Sequence, residues 1–151
     1  MQLLIRAAEI EELPALSELC MRSKAVWGYD AAFMAACRAE LTLDPSDLAS
    51  SRVAVAARGS RILGVAQVRM IGTDADLQKL FVEPSALRGG VGRTLFDWAL
   101  DAARDMGASR MMIEADPDAA PFYRRLGARD AGRVPSGSIA GRMLPKLMVE
   151  L

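Results

Sequence analysis

The segment LFVEPSALRGGVGRTLFDWAL, residues 80–100, joins an apolar, strand-like run to a stretch with the periodicity of an amphipathic helix. Three glycines and two arginines lie at this junction: Arg88, Gly89, Gly90, Gly92 and Arg93. The first N–H groups of a helix lack acceptors within the helix, and glycine lets a ligand approach the backbone closely. The junction therefore predicts an anion site made of backbone, although a tight connection without a ligand explains the same residues.

Two known phosphate-binding patterns fit this segment poorly. A P-loop requires Gly-Lys followed by Ser or Thr, whereas Gly92 is followed by Arg93 and Thr94. The dinucleotide pattern G-x-G-x-x-G is represented only by its beginning, Gly90-Val91-Gly92. Neither a nucleotide triphosphatase nor a dinucleotide-binding domain is predicted.

The residues on either side of this segment predict one α/β domain, residues 1–151, around a mixed sheet. Helix N-terminal signals occur at Pro14 and Asp30, and Gly107 lies where a helix C-terminus is expected. We interpret residues 42–48, TLDPSDL, as a turn. The predicted strands are residues 2–6, a hairpin over 52–70, 75–82, 109–115 and a terminal strand over 142–151; the predicted helices begin near 14, 31, 91 and 119.

Composition excludes several classes of function. The formal net charge is +0 and the basic residues are scattered, so the chain lacks the electrostatic signature of a nucleic-acid-binding protein. No apolar stretch approaches the roughly 20 residues of a membrane span, and the N-terminal segment turns acidic where a signal peptide would stay apolar. We therefore expect a cytoplasmic protein with Cys20 and Cys37 as small, reduced core residues.

The chain contains no histidine. This excludes Ser-His-Asp and Cys-His catalysis in their usual forms and removes the commonest zinc ligand, so we predict no metal site. Any acid or base must be a carboxylate, Tyr, Cys, Lys, the backbone or water.

The stretch from residue 80 to 96 resembles the acyl-CoA-binding segment of the GNAT superfamily of N-acetyltransferases. In that family a strand ending in Val-x-Pro precedes a (Gln/Arg)-x-x-Gly-x-(Gly/Ala) turn; alignment on Val82 and Pro84 places the two glycines at Gly90 and Gly92. The later stretch APFYRRLGAR, residues 120–129, is similar to the family's Phe-Tyr-x-x-x-Gly helix. The resemblance implies a mixed, mostly antiparallel sheet with about four flanking helices.

The resemblance also implies a cofactor, acetyl-CoA, and the residues that bind it. In this family the strand before the turn pairs with the pantetheine arm and the turn holds the pyrophosphate. Two positions depart from the family pattern: Leu87 replaces the preferred Gln or Arg, and Asp118 stands where an Asn often contacts the cofactor. The implied cofactor residues are Leu80, Phe81, Val82, Arg88, Gly89, Gly90, Val91, Gly92, Arg93 and Asp118.

Tyr123 is the predicted general acid for the departing thiolate, because a phenol with a pKa near 10 is protonated at neutral pH. The alternative is a helix tyrosine packed against the sheet. Glu114 is our first choice for the general base, and a solvated charge at a strand end is its alternative. Other carboxylates near the strand ends are Asp74, Asp76 and Glu83. A backbone N–H of Phe81 or Val82 is the predicted donor to the developing oxyanion.

In the family the acceptor site is built from the segment between the first two helices and the loop before the last strand, here near residues 23–33 and 133–144. Core packing and turn chemistry are the alternative explanations for these residues. The predicted acceptor residues are Trp27, Tyr29, Ser138 and Arg142.

These expectations predict an N-acetyltransferase that transfers acetyl from acetyl-CoA to a small-molecule amine by direct attack in a ternary complex. Two alternatives stay open: a non-catalytic acyl-CoA-binding sensor, and transfer to oxygen or of a different acyl group. Exposed terminal strands also allow a homodimer.

Overall fold

In the computed structural model, which describes residues 1–151, seven strands form one sheet in the order β1-β2-β3-β4-β5-β7-β6. Only β4 and β5 are parallel; every other neighbouring pair is antiparallel. β1 and β6 are the edges of the sheet, and pairing of an edge with a second copy stays a prediction. The strands are β1 (Leu3–Ala7), β2 (Arg52–Arg58), β3 (Arg61–Ile71), β4 (Asp74–Val82), β5 (Arg110–Glu114), β6 (Arg129–Pro135) and β7 (Met143–Glu150).

Helices cover both faces of the sheet. The first two pack on one face, where Leu16 and Leu19 meet Val55 and Val65; the last two pack on the other face, around Phe96. The helices are α1 (Leu13–Ala25), α2 (Ala31–Leu41), α3 (Pro45–Ser50), α4 (Val91–Asp105) and α5 (Ala120–Arg125). They are all too short or too polar to cross a lipid bilayer. The predicted mixed, mostly antiparallel sheet is confirmed, with five flanking helices rather than about four.

The additional helix is α3 (Pro45–Ser50), so the interpretation of residues 42–48 as a turn is wrong. The Asp44 side chain accepts a hydrogen bond from the Ser46 N–H, the Asp47 side chain accepts one from the Asp44 N–H, and Pro45 begins the helix. These residues form a capping box, which satisfies the free donors of even a short helix. Turn and helix-start chemistry use the same residue types, so the local pattern was ambiguous.

The loop predicted before the last strand is shorter than expected. β6 runs through Pro135 and pairs with β7, which leaves residues 136–142 as the connection. Six of the seven residues of β6 are exposed, so the strand has none of the alternation that identifies a strand buried on one side.

The sheet opens between its two parallel strands. β4 pairs with β5 only through Ala75–Leu77, and the remainder of β4 has no partner on that side. Gln78 forms a bulge: Leu77 pairs with Val68 and Lys79 with Gln67, so no residue of β3 lies opposite Gln78. The bulge places Leu77 and Leu80 on the α4 side and leaves Lys79 and Phe81 on the α1 side.

Gly64 lets α4 lie close against the sheet. A Cβ atom at this position would come within 2.8 Å of Leu95 Cδ1 and 3.0 Å of the Phe81 carbonyl oxygen. The close approach brings the N-terminus of α4 beside the end of β4, where the sheet opens.

Candidate active site

A cavity of about 650 Å³ occupies the opening between β4 and β5. Its walls come from both sides of the sheet: α1 and α2 from one side, and the start of α4 together with α5 from the other. The segment of β4 from Leu77 to Val82 lines it, as do Ile113 and Glu114 of β5. Residues from distant parts of the chain therefore share one space.

The glycine turn forms one end of this cavity. Gly90 has a left-handed backbone conformation (φ +80°) immediately before α4, and no side chain caps the helix. A Cβ atom built on Gly90 would meet nothing within 4 Å, so the space above the free N–H groups is open. Arg88, with φ 68°, and Arg93 also line the cavity. An uncapped helix N-terminus with open space and nearby arginines fits a pyrophosphate.

Gly92 has a different role from Gly90. A Cβ atom on Gly92 would lie 3.1 Å from Phe122 Cζ and 3.6 Å from Val82 Cγ2. Its small size therefore lets α4 pack against α5, and the concentration of glycine in this turn serves packing as well as access to the backbone.

The free edge of β4 presents specific N–H groups to the cavity. The N–H of Glu83 donates to the Leu63 carbonyl of β3. Because donors alternate between the two edges of a strand, the N–H of Phe81 also points toward β3, whereas those of Leu80 and Val82 point into the opening. Of the two predicted oxyanion donors, Val82 is therefore the one with a free N–H group.

Tyr123 lies in the cavity wall on α5 and is 7% exposed. Its ring packs against Phe96 and Phe122, with centroids 5.8 and 5.1 Å away. Burial raises its pKa well above the ordinary value, and no hydrogen bond within the chain opposes this shift. The phenol is therefore protonated at neutral pH and its donor is free for a ligand.

The four candidate bases differ in their environments. Glu83 is held by two hydrogen bonds from Arg22, whose guanidinium lowers the pKa of the carboxyl, and Asp74 is paired with Arg110. Glu114 is exposed and lines the cavity.

Asp76 lies on the adjacent strand, opposite Met112, and accepts a hydrogen bond from the Gln78 amide. Burial, and secondly the negative charge of Glu114, raise the pKa of Asp76 to about 6. Two of the four carboxylates are thus engaged in ion pairs; the other two interact with each other, and of these only Glu114 lines the cavity.

Sequence reasoning missed a buried carboxylate, Asp116, which connects the acceptor side to the turn before α5. It accepts hydrogen bonds from Lys24 Nζ at 3.0 Å and the Tyr29 hydroxyl at 2.7 Å. The Arg142 guanidinium lies 3.6 Å from it and donates to the Tyr29 hydroxyl at 2.7 Å. Burial alone would raise the pKa of Asp116, but the bonds from Tyr29, the Asp118 N–H and Lys24 hold it below its ordinary value.

Comparisons with known proteins agree with this geometry. Residues 14–128 match the model of the Acetyltransferase (GNAT) family. The chain belongs to this family. It is an acetyl-CoA-dependent N-acetyltransferase. No curated protein sequence matches it.

Solved structures share the fold at low sequence identity. The PaiA N-acetyltransferase from Thermoplasma acidophilum, in complex with coenzyme A, is 17% identical with a TM-score of 0.80, and the alignment covers 100% of both chains. The structure of yncA from Salmonella typhimurium with its cofactor acetyl-CoA is 20% identical, with a TM-score of 0.72 and coverage of 99% of this chain and 94% of that one. The ribosomal-protein-alanine N-acetyltransferase from Brucella melitensis is 23% identical, with a TM-score of 0.71 and coverage of 98% and 99%.

All predicted cofactor residues except Gly89 lie in the cavity wall of this acetyltransferase, although their contacts with acetyl-CoA stay predictions. Gly89 belongs to the same turn, where a Cβ atom would lie 3.4 Å from the Ala86 carbonyl oxygen. Asp118 is exposed at the cavity and its N–H donates to Asp116.

Of the four predicted acceptor residues, only one lines the cavity of the acetyltransferase. Trp27 lines the cavity and is 46% exposed. Tyr29, Ser138 and Arg142 are not in its wall: Ser138 donates to Glu40, and Arg142 packs over the Tyr29 ring. Their contact with an acceptor stays a prediction, and they support the wall from behind. The additional lining residues on this side include Lys24, Cys37, Glu40 and Lys79, which share no local sequence pattern.

Proposed function

We propose that this acetyltransferase acetylates the amine of a small molecule by direct attack in a ternary complex. The observation that carries the proposal is a single cavity with the glycine turn and Tyr123 on one side and a wall formed by α1 and α2 on the other. An acyl donor and an acceptor held in one space can react without a covalent enzyme intermediate.

The cofactor supplies an activated acyl group as a thioester. Residues Leu80–Val82 would pair with its extended arm through the free edge of β4, and residues Arg88–Arg93 would bind its phosphates at the start of α4. The Val82 N–H is suited to stabilise negative charge on the carbonyl oxygen, because it has no partner in β3.

Proton transfer would depend on groups at opposite sides of the opening. Tyr123, which burial keeps protonated at neutral pH, would donate its proton to the departing thiolate, and solvent would return a proton to the phenolate. Glu114 would accept the proton that the acceptor amine must lose, and the neighbouring Asp76, which does not line the cavity, interacts with it through charge.

The acceptor side favours a small molecule over a polypeptide. α1 and α2 wall the cavity there, and the hydrogen bonds that join Lys24, Asp116, Tyr29 and Arg142 connect the end of α1 to residues 136–142. A small amine fits between these walls.

The proposal is tested by measuring release of free CoA thiol from acetyl-CoA with a panel of amino acids, amino sugars, polyamines and arylamines, beside peptides with free N-termini. We expect turnover with at least one small amine and initial-velocity lines that intersect, as a ternary complex requires. Parallel lines would indicate a covalent intermediate. Turnover of peptides alone would overturn the small-molecule acceptor, and cofactor binding without any turnover would favour a sensor.

A further inference from the structure

Lys79 is a buried cation in the cavity wall without a carboxylate partner. Its side chain belongs to β4, the residue is 8% exposed, and it forms no salt bridge within 4.0 Å. Its only hydrogen bond is to Gln67 Oε1 at 3.1 Å. The Gln67 amide is itself fixed, because its nitrogen donates to Asp47 at 3.0 Å and to Ser51 at 2.9 Å.

The surroundings of Lys79 do not neutralise it. Cys20 lies near enough to feel its charge, but burial raises the pKa of the thiol to about 12, so the thiol is neutral. Of the nearby carboxylates, Asp47 is shared with Arg69 at 3.4 Å, and Asp44, whose pKa the charge of Lys79 helps to lower, is exposed to solvent and forms no ion pair with Lys79. A buried ammonium without a counter-charge is unfavourable unless a ligand supplies one.

Positive charge also exceeds negative charge around Asp116, on the same side of the cavity as Lys79. Lys24 lines it, and both Lys24 and Arg142 share the single carboxylate of Asp116. The side chains of these two cations are only 14% and 18% exposed, whereas the acidic lining residues Glu40 and Glu114 are exposed. Positive charge therefore predominates in the interior, and negative charge lies at the rim.

From this distribution we propose that the acceptor carries a carboxylate as well as its amine, and that Lys79, with Lys24, binds the carboxylate. This inference rests on the proposed transfer to a small amine. Lys79 lies three residues before Val82, which is roughly 10 Å along a strand. The acceptor and the flexible Lys79 side chain must together span this distance if the carboxylate is to contact Lys79 while the amine lies near the Val82 N–H and Glu114. Polyamines, which carry no anion, are disfavoured.

The test compares amino acids with their carboxamides, which keep the amine and the side chain but lack the negative charge. Preference is kcat/KM for the amino acid divided by kcat/KM for its carboxamide. In Lys79→Met this preference should fall by roughly 10–100-fold, the range for loss of one charge-assisted hydrogen bond. Because both enzymes use the same pairs, differences in intrinsic amine reactivity cancel. KM for acetyl-CoA should not change.

Two further variants serve as controls for Lys79→Met. Arg58→Met removes an exposed cation of β2 outside the cavity and should keep the parent preference. Lys79→Arg keeps the positive charge and should retain part of the preference for amino acids. If Lys79→Met does not fold, Lys79→Gln serves as the neutral variant. An unchanged preference in the neutral variant, or a parent enzyme that favours carboxamides, overturns the inference while leaving transfer to small amines intact.

A binding measurement tests the anion site independently of the proposed function. If the parent binds CoA but acetylates no amine, calorimetry of amino acid binding to the CoA-loaded protein still tests the anion site. Binding that is lost in Lys79→Met supports the site without catalysis, and an absence of binding overturns it.

Discussion

At the residue scale, burial sets the protonation of two groups near the proposed site of reaction, Tyr123 and Asp76. Tyr123 is enclosed by Phe96 and Phe122, so its pKa rises and it stays an acid at neutral pH. Asp76 is half-buried beside Glu114, so its pKa rises toward the working range of a base. The same physical cause, loss of solvation, thus keeps the Tyr123 phenol protonated and makes the Asp76 carboxylate a stronger base.

Replacement of the acid should separate catalysis from binding. Tyr123→Phe keeps the ring packing but removes the donor, so kcat should fall roughly 10²–10⁴-fold, the usual contribution of a general acid. The affinity for CoA, measured by calorimetry, should be unchanged. Full activity of this variant would show that water protonates the thiolate instead.

The raised pKa of Asp76 predicts how the free energy of unfolding changes with pH. Its pKa is about 6 in the folded protein and lower when unfolded, so the folded state binds the proton more tightly and this group destabilises the fold as pH rises from about 4 through 6. Asp76→Asn should therefore unfold in urea with a free energy about 1 kcal/mol higher at pH 7, allowing for solvent screening, and with no difference below about pH 4.

Asp74→Asn is the matched control for Asp76→Asn. It removes an ion pair with Arg110 and should be neutral or slightly destabilising at pH 7. A loss of stability in Asp76→Asn at pH 7 would contradict the assignment of an unfavourable buried charge.

At the element scale, the packing of α4 sets the position of the proposed phosphate site. Gly64 on β3 and Gly92 on the helix itself allow its close packing, and its uncapped N-terminus then lies at the open end of β4. The helix has glycines of similar conformation at both ends: Gly90 with φ +80° and Gly107 with φ +89°, each with open space at the Cβ position. The two ends thus allow backbone strain to be separated from ligand binding.

Valine at each end of α4 should give the same strain but different binding. Gly90→Val and Gly107→Val should each lower the free energy of unfolding by about 1–2 kcal/mol, the cost of left-handed backbone for a residue with a Cβ. Only Gly90→Val should raise KM for acetyl-CoA, by roughly 10-fold or more, because its side chain covers the free N–H groups. Equal KM values in the two variants would show that the turn does not bind the cofactor.

At the scale of the whole molecule, the site depends on a sheet that opens along one line. β4 and β5 pair over three residues and then separate, and elements from both faces close around the gap. A ligand that bridges β4, α4 and α5 should therefore stabilise the whole fold rather than one segment.

Acetyl-CoA at about 100 times its Kd should stabilise the folded state by about 2.7 kcal/mol, which corresponds to a rise in Tm of about 5–10 °C. Differential scanning fluorimetry measures this shift. Adenosine lacks the pyrophosphate and should give little change at the same concentration. A full shift in Gly90→Val would contradict binding through the start of α4.

Local sequence was sufficient for most of the architecture, because the signals lie within a few residues of one another. Asp30 caps α2 through the Phe33 N–H, and Gly107 ends α4 in a left-handed conformation, both as the sequence predicts. The failures have physical causes as well: α3 begins with residues that also form turns, and β6 is an exposed edge strand without alternation.

The sequence by itself determined the family, the order of the elements and the segment that offers backbone to a phosphate, since each depends on contiguous residues such as 80–100. The tertiary structure alone decided which charges meet. Lys24 and Asp116 are 92 residues apart, Tyr29 and Arg142 are 113 apart, and Lys79 donates its hydrogen bond to the Gln67 amide rather than to a carboxylate. Pairing and burial of charge depend on packing between distant segments, so these contacts could be identified only in the folded chain.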